Sequence, residues 1–364
     1  PCRYGSIYNV FSNKKHIMHR QEKGCFTGWD IGGAHLKVVR CNNQGELLQA
    51  LELPCPLWRG KEALRKAIRL AVDTLNNELD QQLVTMTGEL ADCFADRASG
   101  VSEILACIAE YFPTDRVSVF SSNGWLSQEQ ARTHWDKVAS MNWLASAQLA
   151  ATNYPAGLLI DCGSTTTDII TLNQSQPQLT AYDDQGRLKS GELLYTGVIR
   201  TPLMAIGQKL PFRGEWQTIT AELFATTGDC WRLLDKISAT QINDSSADGN
   251  DWQTENCQRR LARMLGTDAN LFTAEDWQNV AIWFSEQQIQ QIHNACLQVL
   301  SAHCDLDKQA PVIGAGAGRF IVSQIAERLQ RPYVDFDSLL DSHETAATYA
   351  PASALALLAQ RQFT

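Results

Sequence analysis

The sequence predicts an α/β protein made of two domains with similar topology. Strand-like and helix-like hydrophobic patterns alternate along its 364 residues, which is enough chain for two domains with cores of their own. A strand–turn–strand pattern around Asp30 also recurs around Asp161. We therefore expect domains over residues 25–153 and 154–364.

The first domain opens with strands and then alternates. Three strand-like segments, CFTGWDI, LKVVRC and ELLQALELP, are separated by polar turns. An amphipathic helix at KEALRKAIRLAVDTLNNEL, a strand at QLVTMT, a helix at VSEILACIAEYF and a strand at RVSVFSS follow. From Ser127 to Ala151 we expect one helix, capped by Ser127 with Gln130 three residues later.

The second domain repeats the opening strands at AGLLIDC and DIITL. A mostly helical insertion is expected over about 202–304. Strand, glycine-rich turn and helix follow at APVIGAGAGRFIVSQIAERL, and RPYVDF reads as a last strand. The closing helix, bent or interrupted at Pro351, is a candidate to pack back on the first domain.

Composition excludes several protein classes. A net charge of -9 disfavours a binder of duplex nucleic acid, and no apolar run is long enough to span a bilayer. The eleven cysteines contain no CxxC pair, so we expect reduced core residues in a cytoplasmic protein rather than disulfides or zinc ligands. Residues 1–24 have weak periodicity and are expected to form a disordered leader.

The internal repeat aligns short motifs that begin with an aspartate. When GWDIGGAHLKVV is set above LIDCGSTTTDII, Asp30 meets Asp161. The other equivalent pairs are Gly32 with Gly163, Gly33 with Ser164, and Lys37 with Asp168. Each copy has a buried strand, a terminal aspartate, a turn of small residues and a returning β-branched strand, which indicates duplicated domains.

The two turns have the composition of phosphate-binding sites. Small and hydroxyl residues let backbone N–H groups approach a phosphate chain. The aspartates suit a hydrated Mg²⁺, which takes one or two carboxylates together with water and phosphate oxygens. Lys37 could supply a positive charge to a phosphate oxygen.

A third candidate element is the turn in VIGAGAGRF. Gly314, Gly316 and Gly318 lie between a strand and a helix, with a spacing that differs from the dinucleotide fingerprint. They would let a ring or a phosphate lie against the backbone beside a helix N-terminus. The alternative is that they serve only close packing.

In this order, the two hairpins and the late glycine-rich turn resemble the actin, sugar kinase and Hsp70 superfamily. That resemblance implies two ribonuclease-H-like domains, of the actin-like ATPase type, which face a central cleft and hold a nucleotide and Mg²⁺. The segments TGWDIGGAHLKVV, TMTGELADCF, NYPAGLLIDCGSTTTDII, YTGVIRTPL, ELFATTGD and VIGAGAGRF together resemble hydantoinase A and oxoprolinase-related proteins. More narrowly, they resemble the subgroup linked to tetrahydromethanopterin-dependent one-carbon transfer.

The subgroup implies an ether-forming activity in methanofuran biosynthesis. There the phenol of γ-glutamyltyramine displaces diphosphate from an aminomethylfuran-methyl diphosphate. A fold that holds phosphates and Mg²⁺ can stabilise this leaving group, whose negative charge grows as the carbon–oxygen bond breaks.

The resemblance also assigns roles to residues. Asp30 and Asp161 would hold Mg²⁺ through water, with Asp168 as a second carboxylate on the metal side. The residues implied to bind phosphate are Gly32, Gly33, Gly163, Ser164, Thr165, Thr166 and Thr167, and Lys37 is the least fixed of the catalytic assignments.

Candidate acid–base residues lie in two further motifs. TMTGELADCF places Glu89 and Asp92 three residues apart, expected on one face at the start of a helix; helix-start acids also serve that end electrostatically. TTGD ends in Asp229, which could equally belong to a polar turn. His35, alone in the first turn, is expected to be a local hydrogen-bonding residue.

Three functions compete at this stage. The first is the diphosphate-releasing transferase, acting on a phosphorylated small molecule. The second is an ATP-dependent kinase or an ATP-coupled hydantoinase or oxoprolinase-type hydrolase, with ATP or ADP as ligand. The third is an actin-like or chaperone-like nucleotide switch, which leaves the acidic cluster unexplained. A nucleic-acid or membrane partner is not expected, and a homodimer stays open.

Overall fold

The computed structural model describes residues 24–340 and 346–363. Apart from Gly24, the predicted leader therefore lies outside the described residues. The chain divides into two units. Unit 1 takes its residues from Pro1–Gly157, Leu172–Gly186 and Asp335–Thr364, and unit 2 consists of Leu158–Thr171 and Arg187–Val334.

The strands, in chain order, are β1 (Phe26–Ile31), β2 (His35–Cys41), β3 (Leu47–Pro54), β4 (Gln81–Met86), β5 (Val117–Ser121), β6 (Gly124–Leu126), β7 (Gly157–Cys162), β8 (Thr167–Asn173), β9 (Gln176–Gln178), β10 (Leu193–Leu194), β11 (Lys209–Phe212), β12 (Glu215–Thr218), β13 (Val312–Ala315) and β14 (Tyr333–Asp335). The helices are α1 (Glu62–Leu75), α2 (Arg97–Ala109), α3 (Gln128–Thr133), α4 (Asn142–Asn153), α5 (Asp184–Ser190), α6 (Leu203–Ile206), α7 (Thr227–Leu233), α8 (Thr254–Met264), α9 (Ala274–Ala302), α10 (Arg319–Arg328) and α11 (Ala350–Phe363).

Unit 1 has a six-stranded sheet in the order β3-β2-β1-β4-β5-β6. Strands β1, β2 and β3 are mutually antiparallel neighbours, whereas β4 runs parallel to β1 and β5 parallel to β4. This is the strand order and direction of a ribonuclease-H-like domain. One sheet face, which includes Trp29 and Ile31, forms a core with the apolar sides of α1 and α2.

The opposite face of this sheet carries the C-terminal helix. Helix α11 contacts β1, β2 and β4. The contact is very close at Gly28, where an added Cβ would stand 2.1 Å from the carbonyl oxygen of Ala352. Pro351 lies in the first turn of α11 and does not interrupt the helix, because at that point its missing N–H breaks no helical hydrogen bond.

The prediction of one continuous helix from Ser127 to Ala151 is wrong. Ser127 does cap a helix, accepting a hydrogen bond from the Gln130 backbone N–H (3.2 Å), but α3 ends at Thr133 and α4 begins at Asn142. Between them Ala139 forms a parallel bridge with Met86, and Ser140 adopts a left-handed conformation (φ 57°). The chain between the helices therefore extends along the end of β4.

Unit 2 contains a sheet ordered β10-β8-β7-β13-β14. As in unit 1, the first strand of the repeat pairs in parallel with a later strand, β7 with β13. The insertion expected to be mostly helical also contains the antiparallel hairpin β11–β12. Its two-residue loop, Arg213 and Gly214, has positive φ at both positions (49° and 92°), as a type I′ turn requires.

Asp229 was a sequence candidate for acid–base chemistry. In the structure its carboxylate forms hydrogen bonds within the protein core. Its side chain is fully buried. It accepts hydrogen bonds from the backbone N–H of Thr226 (2.9 Å) and from Nε of buried Arg260 (2.7 Å). Burial raises the pKa of Asp229, and the charge of Arg260 opposes that rise. Arg260 also binds Asp248 (2.9 Å), so Asp229 anchors the loop before α8.

We expect Gly28→Ala to destabilise the protein. The new methyl group would overlap the backbone of α11, and overpacking of this kind costs about 1–3 kcal/mol. Thermal or urea unfolding measures the change. Gly33→Ala is the matched control, because no atom lies within 4 Å of the corresponding Cβ position. Equal midpoints for both variants would contradict the close packing of α11.

We expect Asp229→Ala to cost about 3–5 kcal/mol of the free energy of unfolding, because it leaves the buried Arg260 guanidinium without its main counter-charge. Urea unfolding gives this value. The control is Glu103→Ala, which breaks an exposed pair with Lys61 and should change the stability far less, because solvent screens the pair. A small loss for Asp229→Ala would contradict its structural role.

Candidate phosphate-binding turns and a buried acid

The two turns of the predicted repeat are closed by equivalent hydrogen bonds. The backbone N–H of Gly32 donates to the carbonyl of His35 (2.9 Å) in unit 1. Its aligned counterpart Gly163 donates to the carbonyl of Thr166 (2.9 Å) in unit 2. Both turns therefore close at the same place relative to the preceding aspartate.

In each turn one backbone carbonyl accepts hydrogen bonds from backbone N–H groups outside the turn. In unit 1 the N–H of Leu57 donates to the carbonyl of Gly33 (3.0 Å). In unit 2 the N–H groups of Ile199 (3.1 Å) and Arg200 (2.9 Å) donate to the equivalent carbonyl of Ser164. These bonds fix the orientation of the peptide groups in both turns.

The second turn offers unused donors. Across residues 24–340 and 346–363, the backbone N–H groups of Ser164 and Thr165 have no hydrogen-bond acceptor. Gly163 to Thr166 are half-buried, and the Ser164 and Thr165 hydroxyls lie 3.4 Å apart. Successive free N–H groups in a turn make an anion-binding concavity.

Thr167 differs from the residues before it. Its side chain is fully buried, and its hydroxyl donates to the carbonyl of Thr196 (2.7 Å). We therefore assign Thr167 to the support of the turn rather than to ligand contact.

Gly197 lies directly behind the second turn. A Cβ at this position would stand 2.5 Å from both the carbonyl carbon of Ser164 and the nitrogen of Thr165. The carbonyl of Gly197 accepts hydrogen bonds from the Thr227 hydroxyl (2.8 Å) and from Nε2 of Gln288 (2.7 Å). Buried Gln288 thus links the core helix α9 to the backbone that shapes the turn.

The three glycines of VIGAGAGRF are required by contacts within the protein. An added Cβ would meet the Tyr333 ring at Gly314 (2.7 Å), Asp161 Oδ1 at Gly316 (2.4 Å) and Cys162 Sγ at Gly318 (2.4 Å). Of the two interpretations open from sequence, these contacts support close packing. Gly316 remains relevant to the site because it lets the Asp161 carboxylate lie against the backbone.

The three candidate metal-binding aspartates have different surroundings. Asp161 is half-buried at the end of β7. Asp30 is buried, lies opposite Lys37 in the β1–β2 pair, and has Nδ2 of Asn142 3.4 Å from Oδ1. Asp168 binds the buried guanidinium of Arg187 (3.0 Å). Its charge is thereby compensated, which makes Asp168 the weakest metal candidate.

Glu89 and Asp92 do not share a helical face, so that prediction is wrong. Glu89 lies in the short 3₁₀ turn Gly88–Leu90, and α2 begins only at Arg97. Asp92 is exposed, whereas Glu89 is 1% exposed. Helix α2 is capped by Asp96, whose side chain accepts a hydrogen bond from the Ser99 N–H (2.7 Å). The residues between Leu90 and Asp96 therefore lie before the helix.

Glu89 belongs to a buried polar cluster. Its Oε1 accepts a hydrogen bond from the Ser140 hydroxyl (2.9 Å), which also lies 3.3 Å from Asp184 Oδ2. Arg97 donates to that Asp184 oxygen (2.6 Å). Burial raises the pKa of Glu89 to about 7, although the Ser140 hydrogen bond and the charge of Arg97 oppose the rise. A carboxyl group with such a pKa can exchange protons near neutral pH.

Sequence reasoning missed four residues near these features. Ser140, Asn142 and Asp184 carry no motif that marks them. The fourth, Arg319, can be found from strand register: Asp30 pairs with Thr85, and Asp161 with Ala315. Four residues beyond these partners stand Glu89 in unit 1 and Arg319 in unit 2.

The structure adds three general findings. In residues 24–340 and 346–363 there is no group of three or more His, Cys, Asp and Glu side chains arranged to hold a metal ion. All ten cysteines of the described chain are free, and eight are buried, as expected for reduced core residues. No helix in that part of the chain has the length and apolarity to cross a membrane.

Comparison with known proteins identifies similar chains. A curated relative from Methanocaldococcus jannaschii, (4-{4-[2-(gamma-L-glutamylamino)ethyl]phenoxymethyl}furan-2-yl)methanamine synthase, is 28% identical over 341 residues, which cover 92% of this chain and 97% of the relative. The synthase of the same name from Methanococcus vannielii is 36% identical over 125 residues, covering 34% of this chain and 56% of that protein.

Among solved structures, the nucleotide-free structure of an acetone carboxylase, from work on ATP-dependent acetone carboxylation, aligns with a TM-score of 0.56 at 9% identity. It covers 91% of this chain and 70% of that one. At such low identity the likeness concerns the fold alone.

The profile of the hydantoinase/oxoprolinase family matches residues 80–362. This match spans most of the chain and includes the second turn, the glycine-rich turn and Glu89. The chain belongs to the hydantoinase/oxoprolinase family.

Proposed function

We propose that this protein is a transferase that joins a phenol to a furan-methyl carbon and releases diphosphate. The substrate class is supported by the name of the relative aligned over 92% of the chain, whose product contains a phenoxymethyl-furan group. Following the sequence analysis, the phenol is that of γ-glutamyltyramine and the leaving group is diphosphate. The activity would serve methanofuran biosynthesis.

The observation that best supports a diphosphate ligand is the unused pair of N–H groups at Ser164 and Thr165. An oxyanion is the natural acceptor for such donors, and a half-buried position strengthens the interaction by excluding part of the water. We assign Gly163 to Thr166 to this contact and Gly32 and Gly33 to the equivalent contact in unit 1.

The aspartate that precedes each turn is a suitable ligand for Mg²⁺. Asp161, which is half-buried beside a phosphate-binding turn, is our first candidate for a metal ligand, directly or through water. Asp30 is the aligned candidate in unit 1. When bound, Mg²⁺ would neutralise charge on phosphate oxygens. Asp168 is left out because it is bound to Arg187.

We propose Glu89 as the general base. In the reaction, the phenol oxygen forms a bond to the furan-methyl carbon, and the bond from that carbon to the diphosphate oxygen breaks with its electron pair. The phenol proton passes to the Glu89 carboxylate. The pKa of Glu89, about 7, lies close enough to that of a phenol, about 10, for useful base catalysis.

Nucleotide binding is the alternative use of the same turns. ATP or ADP would present the same phosphate oxygens to Ser164 and Thr165. Calorimetric titration of the protein with diphosphate and with ADP, each in the presence of Mg²⁺, separates the two ligands. The transferase predicts tighter binding of diphosphate, whereas tighter binding of ADP would favour an ATP-dependent enzyme.

We expect diphosphate release to require both organic substrates and Asp161. With γ-glutamyltyramine and the aminomethylfuran-methyl diphosphate present, Asp161→Asn should lower the rate about 100-fold or more. The variant would bind Mg²⁺ less well, and loss of preorganised charge stabilisation costs about 3 kcal/mol or more in a transition state. A coupled diphosphate assay measures the rate. Asp73→Asn, an exposed change on α1, is the control. Equal release with the phenol omitted would refute the transferase.

We expect Gly197→Ala to weaken diphosphate binding at least tenfold. The added methyl group would push against Ser164 and Thr165 and disturb the two donor N–H groups. Calorimetry with Mg²⁺ and inorganic diphosphate gives the dissociation constant. Circular dichroism checks the fold, and Thr218→Ala on the exposed strand β12 is the control. Unchanged affinity in a folded Gly197→Ala protein would remove the second turn from the ligand site.

A further inference from the structure

The buried cluster around Glu89 contains one carboxylate oxygen that no protein group satisfies. Glu89 Oε1 accepts from Ser140 (2.9 Å), but Oε2 is buried and has no hydrogen-bond partner among the described residues. Leaving such an atom unsatisfied is costly in a folded protein. A buried polar atom of this kind therefore indicates a group that holds a proton or meets a ligand.

The Ser140 hydroxyl stands between two carboxyl groups. It carries one proton and lies 2.9 Å from Glu89 Oε1 and 3.3 Å from Asp184 Oδ2. Asp184 already receives a charged hydrogen bond from Arg97 (2.6 Å). The shorter distance and the other donor on Asp184 direct the Ser140 proton toward Glu89.

The backbone at Ser140 is held in a conformation that favours glycine. Its φ of 57° is left-handed, an unfavourable region for a serine that persists where the surroundings impose it. The hydrogen bond to Glu89 is a specific contact that a glycine at this position would lack. Two residues later, Asn142 approaches Asp30. This short segment therefore contacts the carboxylates of both Glu89 and Asp30.

We propose that Ser140 and Asp184 are positioning residues that set the protonation of Glu89, so that Oε2 is the oxygen that takes the proton of the substrate phenol. This inference rests on the proposed function. Ser140 keeps its own proton and donates it to Oε1, which orients the carboxylate. After the ether forms, Glu89 releases the phenol proton to water.

The two positioning residues act in opposite directions. The Ser140 hydrogen bond favours the charged form of Glu89, whereas the negative charge of Asp184 disfavours it. Arg97, from α2, faces the same cluster and favours the charged form. The backbone of Glu89 packs closely against Gly100 of α2. Removal of the Ser140 hydroxyl should therefore raise the pKa of Glu89, and removal of the Asp184 charge should lower it.

Infrared difference spectroscopy of the full chain, without substrate, tests this directly. The carbonyl stretch of protonated Glu89 is identified as the band that Glu89→Gln removes. We expect it to titrate near pH 7 in the wild type, at higher pH in Ser140→Gly, and at lower pH in Asp184→Asn. Ser140→Gly also relieves the left-handed backbone, which protects the fold. Asp115→Asn, an exposed change, is the control and should leave the midpoint unchanged.

The pH profile of diphosphate release separates this inference from the proposed function. If Glu89 is the base, the acidic limb of the kcat profile should move with the infrared midpoint in both variants. Infrared shifts of opposite sign without any movement of that limb would support the positioning roles and refute Glu89 as the base. Midpoints that stay fixed, or move in the same direction, would overturn the inference.

Discussion

The proposed phosphate contact of each unit depends on the direction in which the peptide groups of one short turn point. The carbonyls of Gly33 and Ser164 accept hydrogen bonds from backbone N–H groups of the chain that follows β3 in unit 1 and β10 in unit 2. Because a peptide group is planar, holding the Ser164 carbonyl also fixes the N–H of Thr165. Gly197, with no side chain, permits this approach in unit 2. The orientation of this N–H group is thus set by backbone packing.

The two halves keep this scaffold but differ in charge at equivalent positions. Lys37 in unit 1 corresponds to Asp168 in unit 2. Glu89 follows the end of β4 where Arg319 follows the end of β13. The two units therefore share the turns and differ in the residues around them. In the proposed reaction, the buried carboxyl group of Glu89 in unit 1 would serve the acid–base step, and the N–H groups of Ser164 and Thr165 in unit 2 would bind the leaving group.

The sequence was most informative where local chemistry decides the structure. The turns at Asp30 and Asp161 and the cap at Ser127 are local patterns, and they were predicted correctly. For Asp229, an acid–base role and a place in a polar turn both stayed open, because its partner Arg260 lies 31 residues away in sequence. For the glycines near residue 314, ligand contact and close packing both stayed open, because the contacts with Tyr333 and Cys162 arise only on folding. Ser140 was hidden by the prediction of a continuous helix.

Binding of diphosphate by the free N–H groups of the second turn can be measured residue by residue. Backbone amide shifts, measured by transverse-relaxation-optimised NMR on deuterated protein with ¹⁵N-labelled serine and threonine, test it most directly. Added Mg²⁺ and diphosphate should shift the Ser164 and Thr165 amide signals with saturation, and should leave that of exposed Thr218 unchanged. Saturable binding that leaves Ser164 and Thr165 unshifted would contradict the claim.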